Sequence, residues 1–335
     1  MSVVRPAPRL RAMSANNDGP YYDEFTKGMT IPPLPPVTVT EADNVAYRMI
    51  TGDQHLPSAD RQKYAAVSGS DRGLVYPALA MQYSIGQTTN ATRKAIANLY
   101  YRSVRILRHV ELGETLRTTT TVLGLADGKP KGDQHRGKVW LGIETTGDNG
   151  PVVRYERCAL VASRGPVPGH ADEIPGPSDP VPLTEVANLA PAWDLSHLPA
   201  TEWTVGEERS DAMRDHVDLA PSLARMTFNQ AFVHRDKTVS IYGKRLVYGG
   251  HVQGLAQSSL SRVLPGLATV VAWDGCDHVG PAFEADLLAF RHKLVEELPI
   301  AGGRLLRFEI RAGVVDDEGA AGDDILVWTP VCYAP

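Results

Sequence analysis

The sequence predicts an α+β protein built twice on one plan, each copy a long apolar helix laid against an antiparallel sheet. Three observations carry this. The tripeptide Leu74-Val75-Tyr76 returns as Leu246-Val247-Tyr248, an offset of 172 residues (246 − 74). Each occurrence follows a polar loop and leads into an apolar stretch of helical length, 78–88 and 251–263. Each helix is then followed by runs rich in Thr and Val, which read as strands. A duplication of this kind suggests the hotdog architecture twice over, a double hotdog.

Composition narrows the class. The 335 residues are 43% hydrophobic and 22% charged, ordinary for a globular chain able to bury a core. A net charge of −5, with no long basic block, argues against a nucleic-acid partner. No run of about 18 apolar residues predicts a membrane span. Arg5, Arg9 and Arg11 are not followed by the apolar core of a signal peptide, so a cytoplasmic location is expected. Cys158, Cys276 and Cys332 lie too far apart for a metal motif and read as buried small hydrophobes.

Residues 1–20 are polar, Pro-containing and aperiodic, and read as a disordered tail. The first unit is placed at 21–164. Val37-Thr38-Val39 is a short strand. Thr40, with Asp43 three residues on, is a helix start, and the helix should end near Thr51. A polar loop over 52–60, a short helix over 61–67 and the long helix 78–88 come next. Strands follow at 98–107, 115–125, 138–146 and 152–163, the last two joined through Asp148-Asn149-Gly150, a hairpin signal. The Pro-, Gly- and acid-rich stretch 165–182 is the linker. The second unit, 183–335, should open with a helix over 210–226, broken at Pro221. The helix 251–263 and strands at 269–274, 283–294, 304–315 and 325–333 complete it.

The chemistry gathers in 224–257. His234 is a possible base, and Asn229, five residues earlier, a possible water-orienting group. Gly249-Gly250 opens a helix, where unpaired N–H groups and the helix dipole favour an oxyanion.

These residues carry a resemblance. The loops Asp53-x-x-x-x-Ser58-x-Asp60 and Asn229-x-x-x-x-His234-x-Asp236 resemble the Asp-x-Asn-Pro-Ile-His-x-Asp motif of the MaoC-like (R)-specific enoyl-CoA hydratases. The first copy keeps the aspartate but has Ser58 for the histidine; the second keeps the histidine but has Asn229 for the aspartate. Lys244-Arg245-Leu246-Val247-Tyr248-Gly249-Gly250-His251 and Ala95-Ile96-Ala97-Asn98-Leu99 resemble the mesaconyl-CoA hydratase (β-methylmalyl-CoA dehydratase) branch, whose second motif also reads Asn…His. The similarity extends over most of 20–333.

The resemblance implies reversible addition of water to a 2-enoyl-CoA, a branched dicarboxylic one being the narrow version, with no cofactor beyond the thioester. His234 is then expected to act as base and acid, with Asn229 orienting the water and the Gly250 N–H donating to the thioester oxyanion. Lys244, Arg245, Gly249 and Tyr248 are expected to bind substrate, the two cations meeting CoA phosphates or a substrate carboxylate. Pro77 has no N–H and Ser58 is no base, so the first copy is expected to be a degenerate site that forms the acyl pocket. A single-chain pair could be a monomer, and further pairing into a homodimer stays open. Two alternatives remain. A hotdog thioesterase would want a carboxylate on the long helix, and neither helix has one. A non-catalytic acyl-CoA-binding protein is suggested by the lost aspartate.

Overall fold

The computed structural model describes residues 18–200 and 202–335. The tail expected over 1–20 lies outside these residues except for 18–20. The first half contains β1 (Thr30–Ile31), β2 (Val37–Thr38), α1 (Glu41–Thr51), α2 (Leu56–Ala59), α3 (Arg61–Ser68), α4 (Pro77–Gln87), β3 (Ala95–Ile106), β4 (Thr115–Asp127), β5 (Arg136–Gly147) and β6 (Gly150–Ala162). The second contains α5 (Leu183–Val186), β7 (Glu208–Ser210), β8 (Asp215–His216), α6 (Ala220–Met226), α7 (Gly249–Val263), β9 (Thr269–His278), β10 (Leu287–Ile300), β11 (Gly303–Val315) and β12 (Ala321–Ala334).

Local chemistry explains the boundaries. The Asp43 carboxylate accepts from the Thr40 backbone N–H at 2.7 Å, starting α1, and Gly52 ends it in the left-handed conformation at φ 68°. The β5–β6 hairpin closes at Gly147–Gly150, with Gly150 at φ 107°, a value that favours glycine.

The strands join in one antiparallel sheet in the order β1-β4-β5-β6-β3-β9-β12-β11-β10-β7, with β2 pairing β4 and β8 pairing β10 at its ends. The β3–β9 pairing, with Tyr101 opposite Cys276 and Val104 opposite Trp273, fuses the two hotdog units. Every residue of α4 is buried, as are all of Gly250–Ser261 in α7. The helices meet where Gln82 Nε2 of α4 donates to the Gly250 carbonyl of α7 at 2.6 Å and to Gln253 Oε1 at 3.1 Å. The three cysteines are free and buried.

Three readings need correction. The 210–226 stretch is not one broken helix. Short edge strands β7 and β8 take its start, and only Ala220–Met226 is helical, with Pro221 in the first turn, where a missing N–H costs nothing. The loop 52–60 contains the short helix α2. The last long helix begins two residues before the expected 251, with Gly249 and Gly250 as its first two residues. The 165–182 segment carries no helix or strand but is tied down on both units, by the Tyr100 hydroxyl donating to the Pro175 carbonyl at 2.6 Å and by Asp179 N–H donating to the Asp274 carbonyl at 2.9 Å.

The close approach of α4 to the second unit depends on Gly86, where a Cβ would collide with the Thr227 carbonyl, two residues before Asn229. Gly86→Ala should therefore destabilise the fold by about 1–3 kcal/mol or more, as overpacking does. A thermal melt that matches the parent would show that this contact yields freely.

Candidate active site

The two motif loops are built alike. Asp53 Oδ1 accepts from the His55 N–H at 2.9 Å, and Asn229 Oδ1 accepts from the Ala231 N–H at 3.0 Å. Both are side-chain turns that aspartate and asparagine make equally well. The last motif aspartates also match. Asp60 accepts from the N–H groups of Gln62 and Lys63 to start α3, and Asp236 accepts from the Thr238 N–H at 2.8 Å to start the turn Lys237–Val239. Asp236 is thus a helix cap facing solvent.

Each loop rests on the other unit's helix region. Asp53 Oδ1 accepts from Ser261 of α7 at 2.8 Å. On the other side, Gln230 N–H donates to Thr89, just past α4, at 2.8 Å. Phe228, immediately before Asn229, is held at φ 61°, a left-handed conformation that is strained for a bulky residue and often found at functional sites.

His234 Nδ1 lies 2.9 Å from the Leu246 carbonyl, a contact in which the ring must donate. This fixes the tautomer and leaves Nε2 with its lone pair. Burial lowers the His234 pKa to about 4; the Leu246 bond opposes this, and the charges of Arg157 and Arg235 reinforce it. The His234 ring sits 5.6 Å from that of Tyr248. Tyr248 packs in turn on Gly250, where a Cβ would fall 2.5 Å from its ring and collide with Gln82 Oε1. Only glycine allows this approach. Gly250 is the second residue of α7, so the helix supplies no acceptor for its N–H. The buried Tyr248 hydroxyl and Gln82 Oε1 have no hydrogen-bond partner among the described residues.

The structure brings Asn229, His234, Tyr248, Gly249 and Gly250 to the seam between the units. Asn229 differs from expectation in one respect: its carbonyl oxygen already accepts from the turn, which leaves one lone pair and the Nδ2 to meet a water. Lys244 and Arg245 lie further out. Arg245 is paired with Glu284, and Lys244 stands over the Phe283 ring at 5.2 Å; both line an open groove of about 410 Å³ with Lys237 and Arg235. Beside the motif loop is a second cleft, of about 480 Å³, lined by Arg93, Arg225, Arg235, Leu34, Phe228 and Phe232 among others. None of those three arginines has a carboxylate partner among the described residues.

Sequence reasoning missed His278, Tyr101 and Arg157. The His278 ring lies against Gly249, where a Cβ would be 2.5 Å from its Nε2, and 6.2 Å from the Tyr101 ring. Burial lowers its pKa to about 4, with His234 and Arg157 adding to the effect. Arg157 was legible in principle. Val153, Tyr155, Arg157, Ala159 and Val161 alternate along β6 and are all buried, so a cation stands on the apolar face.

No family model matches the chain. β-Methylmalyl-CoA dehydratase of Chloroflexus aurantiacus is 29% identical over 314 residues, covering 87% of this chain and 86% of that protein. Mesaconyl-CoA hydratase of Cereibacter sphaeroides is 29% identical over 292 residues, 81% of each. Among solved structures, a conserved hypothetical protein from Mycobacterium tuberculosis with a double hotdog fold is 33% identical at a TM-score of 0.85, covering 94% of this chain and 98% of that one. A MaoC domain protein dehydratase from Chloroflexus aurantiacus matches in fold at a TM-score of 0.85 and 24% identity. Fold and site together define a double-hotdog protein. The chain belongs to the double-hotdog proteins, and in sequence it is similar to β-methylmalyl-CoA dehydratase and mesaconyl-CoA hydratase.

Burial keeps six imidazoles neutral: His55, His234, His251, His278 and His292 near 4 and His109 near 3, against 6.5 in an exposed residue. A depressed histidine costs stability as pH falls below 6.5 toward its folded value, because the unfolded chain then binds the proton more tightly. Asp53, raised to about 6 by burial, acts in the opposite sense between about 4 and 6. Burial also raises Asp274 and Asp277, but six imidazoles outnumber three carboxylates, so the denaturant midpoint should fall between pH 7 and 5. A midpoint that is flat or rising over that range would contradict the burial of these rings.

Proposed function

We propose that this chain is an acyl-CoA hydratase/dehydratase that adds water reversibly across the double bond of a 2-enoyl-CoA, with a mesaconyl-CoA-like acyl group as the narrower reading. The observation that carries it is the single-tautomer imidazole of His234, its Nε2 free, beside the open N-terminus of α7 at Gly250.

In this reading Nε2 takes a proton from a water held between His234 and the Asn229 amide. The water oxygen bonds to the β-carbon. The C=C electron pair moves toward the thioester, and the Gly250 N–H donates to the oxygen as the enolate forms. The imidazolium then returns its proton to the α-carbon, and dehydration is the reverse. Burial leaves the imidazole neutral at any pH above about 4, so the lone pair is always present. The enolate developing beside it favours the transient imidazolium. The reaction requires no cofactor beyond the thioester itself.

The arginine-lined cleft beside the motif loop supports a CoA ester as substrate, since Arg93, Arg225 and Arg235 suit its phosphates. The first-half motif supports a single site per chain. Ser58 Oγ lies 2.8 Å from His55 Nδ1, and His55 Nε2 lies 3.0 Å from the Ala268 carbonyl, so that imidazole is engaged at both nitrogens. One chain supplies both halves of the site, so a monomer would suffice. No helix among the described residues is long and apolar enough to cross a membrane, and three free cysteines fit a reducing, cytoplasmic compartment.

The test follows loss of the conjugated-thioester absorbance with mesaconyl-CoA, crotonyl-CoA and a long-chain enoyl-CoA. His234→Ala should lower kcat by about 10²–10⁴-fold while CoA-ester binding persists. The acid limb of kcat/KM should fall below pH 5, following the lowered imidazole. Parent protein that binds the esters but hydrates none would favour the binding-protein alternative.

A further inference from the structure

We propose that Arg157, contributed by the first unit, is the residue that selects an acyl group bearing a free carboxylate. The substrate class rests on the hydratase reading above; the recognition of an anionic acyl group is argued from the position and pairing of Arg157 alone.

Cross-strand partners share a face of a sheet. Arg157 of β6 stands opposite Tyr101 of β3, and Tyr101 stands opposite Cys276 of β9. His278 lies two residues beyond Cys276 on the same strand and therefore on the same face. A row thus runs across the seam from Arg157 through Tyr101 to the histidine that packs on Gly249. Its span from β6 to β9 is two strand spacings, about 10 Å at ~4.8 Å each, short enough for an arginine side chain and a small acyl group to bridge. The guanidinium carbon sits 5.6 Å from the Tyr101 ring centroid. Tyr101 in turn meets the His278 ring edge-on at 6.2 Å, and that ring lies against Gly249 at the start of α7.

Arg157 is 4% exposed, and its hydrogen bonds go only to neutral acceptors: Nε donates to Asn98 Oδ1 at 2.6 Å and Nη1 to Thr88 Oγ1 at 2.8 Å. It has no carboxylate partner among the described residues, and Nη2 carries no hydrogen bond. Two other largely buried arginines are neutralised. Arg307 meets Asp274 at 2.7 Å, and Arg262 of α7 meets Asp211 and Asp215. A buried guanidinium without a counter-ion is costly, and an incoming carboxylate would supply the missing charge in a fork geometry. Asn98 and Thr88 occupy Nε and Nη1, so Nη2 is the nitrogen left for an incoming carboxylate. Lys244 and Arg245, the cations expected from sequence to serve a substrate carboxylate, lie in the outer groove instead, and Arg245 is already paired with Glu284.

The experiment compares parent, Arg157→Met and Arg157→Lys in two readouts. The first is kcat/KM for mesaconyl-CoA against crotonyl-CoA. The second, independent of turnover, is the ratio of dissociation constants for succinyl-CoA and butyryl-CoA, saturated esters with and without the carboxylate. Arg157→Met should lower kcat/KM for mesaconyl-CoA by about a hundredfold or more and for crotonyl-CoA by far less, and should abolish any preference for succinyl-CoA. Arg157→Lys should recover part of both, since it restores charge without the fork. Equal losses on charged and uncharged esters, or an unchanged binding ratio, would overturn the proposal and leave Arg157 as a tie between Thr88 and Asn98. A parent that prefers succinyl-CoA through Arg157 but hydrates nothing would uphold the proposal and reject the hydratase reading. Should Arg157→Met fail to fold, Arg157→Lys alone decides, through the succinyl-CoA to butyryl-CoA ratio.

Discussion

The seam between the two units is the constraint on which everything else depends. It consists of the β3–β9 strand pairing and the contact of α4 with α7 through Gln82, Gly250 and Gln253. Neither unit contains a complete site. The motif loop holding Asn229 and His234 leans on Thr89 past α4, while the loop holding Asp53 leans on Ser261 of α7. Exchange of supports of this kind gives two sites related by the duplication. In the proposed reading only the second of them keeps the chemistry.

Comparison of the two loops separates structure from chemistry within a single motif. The first position, Asp53 or Asn229, closes a turn through Oδ1 in both copies, and the last, Asp60 or Asp236, caps the following helical turn in both. These positions are therefore retained in kind whether or not the copy works. The variable position decides the outcome: Ser58 is engaged with His55, whereas His234 keeps a free nitrogen. The replacement of aspartate by Asn229 is tolerated geometrically, and in the proposed reaction it leaves proton transfer to the imidazole.

Much of the fold was legible in the chain because its signals are local. The Thr40 helix start, the Asp-Asn-Gly hairpin, the apolar helices and the Thr- and Val-rich strands each depend on neighbours a few residues away. The repeat of Leu-Val-Tyr then fixed the plan as double. The misread stretch was 210–226, where β7 and β8 gain their hydrogen bonds from β10, some 80 residues distant, and local propensity could not report that partner.

For the candidate site, the sequence by itself singled out the residues proposed to react: a histidine and an amide at motif spacing, and a glycine pair at a helix start, since each is set within one stretch of chain. Only the tertiary structure decided their surroundings. It set the His234 tautomer through the Leu246 carbonyl and gave the Asn229 oxygen a backbone partner. It brought His278, Tyr101 and Arg157 from three strands of two units onto one face. The physical reason is register: which side chains share a face across a sheet depends on pairing between distant strands, and a charge such as that of Arg157 acquires meaning only when its missing partner can be seen.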